Sequence, residues 1–327
     1  MIAVTGANGL LGSFIIRRLI EQNLPCIGLK RANSDTSLLN DIAGQFEWRN
    51  ADVLDTVAIE EALSGVTKVI HAAAIVSFNP SRRDEILDNN VTGTRNLVNA
   101  SLACSVERFI HISSVAALGR QKGQTVIDET NKWVDSALNS NYAESKYLSE
   151  LEVFRGEEEG LNTVIVNPSV ILAPADWNKS SAQLFKYVWQ QKKFYIDGTL
   201  NYVDVRDVAD VVVALLSNPV RGQRFVLNGG SVSFESFFQM VAAKFNCKHP
   251  STKLNRRLLT AAAFVEGIRA KLLGGEPLIT KETARLEGNK FAYSSDKIKE
   301  KLGFDFQTIE NTLDWCCSHY LNFNAKK

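Results

Sequence analysis

Short, nearly all-apolar runs alternate through the first half of the chain with longer stretches in which apolar positions recur every three or four residues. The runs Ile2–Thr5, Cys26–Lys30, Phe46–Asn50, Lys68–Ala72, Arg108–Ile112 and Thr163–Asn167 predict strands. A strand that is apolar on both faces belongs in a parallel sheet with helices on either side. Between them, Leu11, Ile15 and Leu19 mark one helical face after Gly9, Ile59–Leu63 is a short helical stretch, and Ile86–Ala103 and Ala137–Phe154 are longer ones. This alternation predicts right-handed crossovers and an α/β, Rossmann-type doubly wound parallel sheet.

The pattern loosens after Asn167. A loop with Pro168, Pro174 and Trp177 leads to a helix near Ala182–Gln190, a short segment at Asn201–Val205, a helix over Val208–Leu216 and a strand at Arg224–Leu227, followed by Gly229-Gly230. Helical patterns follow at Phe234–Phe245, Arg256–Leu273, Lys281–Glu287 and Thr308–Leu321. We read residues 1–167 as a nucleotide-binding domain, with return segments about 201–228. Residues 168–200 and 229–327 read as a smaller, mainly helical substrate-binding lobe.

The composition of the 327 residues, 45% hydrophobic and 22% charged, is that of a globular protein with ample core. A formal net charge of +1 lacks the basic excess of a nucleic-acid binder. No apolar run approaches the roughly 20 residues that span a bilayer. The opening Met1–Thr5 reads as a strand without a basic leader before it. Five scattered cysteines without a C-x-x-C pair suit a reducing compartment, so a cytoplasmic location is expected. The four histidines show no metal-ligand spacing, and no metal is expected. Arg256, Arg257, Arg269 and Lys271 surround an apolar stripe that suits a membrane surface, though a packed lobe helix is the stronger reading.

The first strand runs into Thr5-Gly6-Ala7-Asn8-Gly9-Leu10-Leu11-Gly12, a G-x-x-G-x-x-G turn that opens a helix. Glycines there permit a tight turn and bring backbone N–H groups and a helix N-terminus to a pyrophosphate. At the end of the second strand a NAD site usually carries an acid for the ribose 2′-OH. Here Lys30 and Arg31 stand instead, which suits a 2′-phosphate and favours NADP over NAD; Asp35 follows a few residues later. Asp52-Val53 after the third strand suits an adenine, or is a solvated loop. His71-Ala72-Ala73-Ala74 ends the fourth strand with small residues that let backbone lie against a cofactor; His71 itself reads as a hydrogen-bonded core histidine. Asn90 is a polar residue within a mostly apolar helix, either linked to an active site or a satisfied buried amide.

Tyr142-Ala143-Glu144-Ser145-Lys146 carries the sharpest signal. Residues i and i+4 share a helical face, and an adjacent ammonium lowers a phenol pKa. A second Y-x-x-x-K match, Tyr293 and Lys297, has no serine-bearing strand before it and reads as structural. The first follows Phe109-Ile110-His111-Ile112-Ser113-Ser114, whose C-terminal hydroxyl can meet the tyrosine; Ser114 is preferred and Ser113 is the alternative.

Taken together, these motifs resemble the extended short-chain dehydrogenase/reductase family, grouped with the NAD-dependent epimerases and dehydratases. Asn167-Pro168-Ser169-Val170 is similar to the segment that lies over the nicotinamide, and Tyr202–Ala209 to a late family motif. The order Ala51–Asp55 then His71–Ala74 looks most like the dihydroflavonol-reductase and 3β-hydroxysteroid-dehydrogenase branch. The resemblance implies an NAD(P)-dependent oxidoreductase acting on a carbonyl or alcohol of a small apolar molecule. In it, Tyr142 is the general acid or base, and Lys146 lowers the tyrosine pKa and holds the nicotinamide ribose. Ser114 binds the substrate oxygen, and Asn90 supports a water relay. Pro168, Ser169 and Val170 touch the cofactor, and Val76, Phe78 and lobe residues from Val170 onwards shape the substrate pocket. Relatives often dimerise through two long helices, here Asp84–Ala103 and Ala137–Phe154. Val115-Ala116-Ala117 after Ser114 departs from the Asp-Glu pair of the 4,6-dehydratases, which disfavours that activity. A nucleotide-sugar epimerase with tightly bound NAD uses the same Ser/Tyr/Lys set and is the second reading. A cofactor-sensing protein without turnover is the third, though such proteins commonly lose the tyrosine or lysine.

Overall fold

The computed structural model describes residues 1–120, 123–136, 139–177, 180–254 and 291–324. In chain order its elements begin β1 (Ile2–Thr5), α1 (Leu10–Glu21), β2 (Cys26–Lys30), β3 (Glu47–Asn50), α2 (Thr56–Ala62), β4 (Lys68–His71), α3 (Arg83–Leu87), α4 (Gly93–Ala103), β5 (Arg108–Ile112), β6 (Val126–Ile127), α5 (Asn141–Glu158) and β7 (Thr163–Pro168). There follow β8 (Val170–Leu172), α6 (Ala182–Trp189), β9 (Phe194–Tyr195), β10 (Thr199–Asp204), α7 (Val205–Leu215), β11 (Gln223–Leu227), β12 (Gly230–Ser233) and α8 (Phe234–Phe245). The last described are β13 (Thr252–Lys253), β14 (Ala292–Tyr293), α9 (Asp296–Leu302) and α10 (Ile309–Asn324).

Seven strands form one parallel sheet in the order β11-β7-β5-β4-β1-β2-β3. The chain steps outward from β1 to β3, then returns to the other side of β1 to lay down β4. The strand order therefore reverses between β1 and β4, and a crevice opens beyond their C-terminal ends, where such sheets take ligands. Helices cover both faces. Ile15, Ile16 and Leu19 of α1 pack with Val208, Val211, Val212 and Leu215 of α7 on one side. Ile59 of α2, Leu97 and Val98 of α4 and Val153 of α5 fill the other.

The strands predicted from apolar runs are present within one residue at either end. The expected helix Ile86–Ala103 is α3 and α4 joined through a π turn over Asp88–Thr92. The expected helix Ala137–Phe154 begins instead at Asn141, because the Ser140 hydroxyl caps it by accepting from the Ala143 N–H at 3.0 Å. The helical patterns at Arg256–Leu273 and Lys281–Glu287 lie outside the described residues. Beyond Asn167 the structure adds a second sheet of order β12-β10-β8. Its β8 hides in a proline-punctuated stretch, and its β12 starts on the second of two glycines. A separate core of Phe185, Phe237, Val241, Leu313 and Tyr320 fills this region. Helix α9 also escaped sequence reading: it is dominated by charge, and Ile298 is its buried residue.

The Tyr202–Ala209 motif joins the two parts. Asp204, wholly buried, caps α7 through the Arg206 N–H at 2.9 Å and accepts from the Thr312 hydroxyl of α10 at 2.9 Å. Arg206 pairs with the same carboxylate at 2.6 Å and lies 4.0 Å over the Trp315 ring. Burial, opposed by the Gln307 N–H at 2.8 Å, pushes the neighbouring Asp207 carboxyl up to about 7. An acid whose pKa is raised by folding stabilises the fold most below its unfolded pKa, and that contribution is lost as pH rises towards 7. Asp207→Asn keeps an acceptor for Gln307 but cannot ionise. Its melting temperature relative to wild type is therefore expected to rise between pH 5 and pH 8; a difference that does not change with pH would contradict this.

Candidate active site

The glycine turn is built by steric exclusion. Gly6 has φ +64°, and a Cβ there would lie 2.8 Å from the Ala73 N and Cα. A Cβ on Gly12 would sit 2.1 Å from the Gly6 carbonyl oxygen. Backbone therefore packs on backbone: Gly9 N–H donates to Gly6 O at 2.9 Å, and α1 starts at Leu10 with neither a side-chain cap nor an acid in its first turn. The helix N-terminus keeps its N–H groups and positive dipole for an anion. This cradle, at the β1–β4 crevice, fits a dinucleotide pyrophosphate.

The loop after β2 folds back over the turn, where Asn8 Nδ2 donates to Asp35 O at 3.1 Å. The Asp35 carboxylate accepts from the Ser37 N–H at 2.9 Å within its own loop. Lys30 Nζ donates to Ala32 O and Asn50 Oδ1, both at 3.2 Å, and Arg31 is exposed. Asp52 caps its own turn by accepting from the Leu54 N–H at 3.0 Å. Val53 packs where a Cβ on Gly93 would meet it at 2.7 Å, so α4 approaches the loop closely because Gly93 has no side chain.

His71 is a core histidine, as its sequence context suggested. Its Nδ1 lies 2.7 Å from Thr5 Oγ1 and its Nε2 3.0 Å from Thr94 Oγ1. Thr94 donates to Asn90 O at 2.6 Å, and Ala73 N–H donates to Thr5 Oγ1 at 3.1 Å. These directions put the ring proton on Nε2. Burial, with some repulsion from Lys146, brings its pKa down to about 3, so it holds the β4 end as a neutral ring rather than moving protons. Just beyond, the Ala72 and Ala73 backbone packs on Gly6, and Ala74 follows in the same loop. Asn90, in the π turn, clamps the same loop: its Oδ1 accepts from Ile75 N–H at 2.8 Å, and its Nδ2 donates to Ile75 O and Ser145 Oγ, both at 3.0 Å. Its own carbonyl accepts from Thr94 and, at 2.8 Å, from Ser149. With its amide so engaged, Asn90 fastens this loop to α5.

Tyr142, Lys146 and Glu150 lie one turn apart along one face of α5, against the C-terminal end of β5. Ser114 is half-buried; its Oγ accepts from the Ala116 N–H at 3.2 Å and hydrogen-bonds towards the Tyr142 phenol. Ser113, the alternative, is buried and donates to Glu150 Oε1 at 2.5 Å, so the structure separates the two serines. Burial pushes the Tyr142 phenol up to about 12, with the Ser114 contact pulling the other way. This corrects the expectation that Lys146 would bring it down. The ammonium turns instead to Ile112 O, to which it donates at 2.7 Å, and desolvation sets the direction at the phenol. Burial brings Lys146 itself down to about 8, with Glu150 opposing. Phe78, exposed beside Val76, meets the Tyr142 ring edge-on at 6.0 Å.

At the end of β7, Asn167 Nδ2 donates to both Glu150 Oε1 at 2.5 Å and Ser114 O at 3.0 Å. Asn167 Oδ1 and Ser169 Oγ are buried without a protein partner at this strand end, and Pro168 and Val170 flank Ser169. Glu150 was missed by sequence reading; its signal is its i+4 and i+8 spacing from Lys146 and Tyr142. The other Y-x-x-x-K match has no shared helix. Tyr293 lies in β14 and accepts from Arg120 Nε at 3.3 Å, while Lys297 in α9 donates to Arg224 O at 3.0 Å.

Known proteins resemble this chain over most of its length. The model of the NAD dependent epimerase/dehydratase family matches residues 2–228. A Synechocystis sp. protein provisionally named dihydroflavonol 4-reductase is 27% identical over 316 residues, 95% of this chain and 91% of that one. Cinnamoyl-CoA reductase 1 of Petunia hybrida is 29% identical, over 76% of this chain and 78% of its own. The crystal structure of gox2253 superposes with a TM-score of 0.84 at 32% identity, covering 99% of this chain and 98% of that one.

Proposed function

The chain belongs to the NAD dependent epimerase/dehydratase family, and from that membership we propose that it is an NADP-preferring reductase of a carbonyl group on a small, apolar molecule. The family makes it an enzyme of NAD(P)-dependent oxidoreductase or epimerase type. The observation that carries the finer reading is the Tyr142 phenol facing Ser114, with Lys146 one turn along, beside the β1–β4 crevice.

Bound nicotinamide supplies the hydride. Tyr142, with a pKa of about 12, holds its proton at neutral pH and donates it to the oxygen that gains charge as the carbonyl carbon is reduced. Ser114, whose oxygen accepts from Ala116 N–H, turns its own O–H to the same oxygen and stabilises that charge. Lys146 holds the cofactor ribose. The glycine turn, Ala72–Ala74, Asp52-Val53 and Pro168–Val170 embrace the dinucleotide, with Lys30 and Arg31 meeting a 2′-phosphate. Exposed Val76, Phe78 and Val170 offer an apolar mouth, and the described residues of the second part, from Val170 onwards, would close the substrate pocket around it. The names of the dihydroflavonol and cinnamoyl-CoA reductase relatives point to a substrate bearing an aromatic ring, which suits that mouth.

The test is a screen of aromatic and aliphatic aldehydes, ketones and thioesters, following NADPH absorbance. Turnover with NADPH in preference to NADH is expected. Changing both Lys30 and Arg31 to Ala should weaken NADPH about 10- to 100-fold, as loss of charge-assisted bonds implies, and NADH little. Purified protein that carries non-exchanging NAD and oxidises no NADPH would overturn the reading in favour of an epimerase.

A further inference from the structure

Glu150 is 1% exposed, as a carboxylate rarely is without a purpose for its charge. Two of its hydrogen-bond partners belong to the strand ends that carry the reacting groups. Ser113 Oγ and Asn167 Nδ2 donate to Oε1, both at 2.5 Å, and Arg224 of β11 reaches Oε2 at 3.2 Å. Through Asn167, the carboxylate is tied to the carbonyl of Ser114. Through α5, it stands one turn from Lys146 and two from Tyr142. We infer that Glu150 is a positioning residue of this site, locking Ser114 to the Tyr142 face of α5 and setting a carboxyl one helical turn from the Lys146 ammonium. This rests on the reading of Tyr142 and Lys146 as the reacting pair.

Burial pushes the Glu150 carboxyl above the usual carboxylate range, and the Ser113, Arg224 and Asn167 contacts pull it back towards the ionised form. Arg224 does not depend on Glu150 alone. It also donates to Glu129 O at 2.9 Å and Asn131 O at 2.6 Å, so removing the carboxylate leaves the guanidinium bonded. The other titratable groups around Lys146 are Tyr142, one turn back on α5 and protonated with a pKa of about 12, His111 of β5 and His71 of β4. Burial holds both histidines neutral, and both ring nitrogens of His111 are unbonded. Glu129 spends its carboxylate on the Val226 N–H at 2.7 Å. Glu150 is therefore the carboxylate that raises the proton affinity of Lys146 against desolvation.

The experiment is a pH titration of ¹³Cε-lysine resonances in the cofactor-free protein, with the Lys146 signal assigned by its loss in Lys146→Met. In wild type the ammonium is expected to titrate near 8. In Glu150→Gln the midpoint should fall by about one to three units, the shift expected for loss of an adjacent opposite charge. Glu150→Met, which sets no amide against Asn167 and Arg224, is the second variant and should give the same direction. In turnover, the alkaline limb of kcat/KM should move down by the same amount, which a loosened fold would not do. An unchanged Lys146 midpoint in a folded variant overturns the inference. If wild type reduces no carbonyl, the proposed reaction falls, while the lysine titration still decides for or against Glu150.

Discussion

Tyr142→Phe is expected to lose about 100- to 10,000-fold in kcat, the worth of a well-placed general acid, while binding NADPH with nearly wild-type affinity. The substitution keeps the ring that meets Phe78 at 6.0 Å and removes a single oxygen, so the crevice should retain its shape. Stopped-flow hydride transfer and NADPH fluorescence titration would separate the two quantities. Equal turnover would remove the phenol from the reaction, and a parallel loss of cofactor affinity would recast it as a binding group. The pH profile gives a companion signature. A phenol near 12 stays protonated through the working range, so reduction should not fall away through Tyr142 below pH 10. Lys146, near 8, loses its charge as pH rises through that value, and the alkaline decline should follow it.

Gly12→Ala is expected to cost the protein both cofactor and stability. The added Cβ would stand 2.1 Å from the Gly6 carbonyl oxygen and 2.7 Å from its carbonyl carbon, and neither is the movable end of a side chain. Relief requires the turn and α1 to separate, which takes the helix N-terminus away from the pyrophosphate. NADPH affinity should drop by at least about tenfold, as the loss of one or more charge-assisted bonds implies. Overpacking of this kind destabilises by about 1–3 kcal/mol. Isothermal titration with NADPH and thermal melts would read the two effects. A variant that binds and melts like wild type would mean that the turn accommodates a methyl group and that the cradle is not set by backbone contact.

Much of the scaffold was legible because it is written in local periodicity. Parallel strands buried on both faces, such as Ile2–Thr5 and Arg108–Ile112, show as apolar runs, and Leu11, Ile15 and Leu19 show a helix face. The elements that escaped lack that signature. The charged α9 buries little, and β12 alternates between half-buried and exposed positions beside two glycines. Helix α5 was displaced because its start is set by the Ser140 cap rather than by the first apolar residue.

Within the site, the chain alone determined the glycine spacing, the Tyr142–Lys146 pair and the serine-bearing strand end, since each is a pattern of residues a few positions apart. Only tertiary structure decided which serine faces the phenol, because Ser113 and Ser114 differ in the partner each meets, not in their local sequence. It likewise decided that burial raises Tyr142, that Lys146 is held by Ile112 O, and that Glu150 is an interior charge. Proton affinity depends on desolvation and on charges from elements distant along the chain. Here Glu150 of α5, Ser113 just beyond β5, Asn167 of β7 and Arg224 of β11 come together from distant positions in the chain, and no local spacing encodes their meeting.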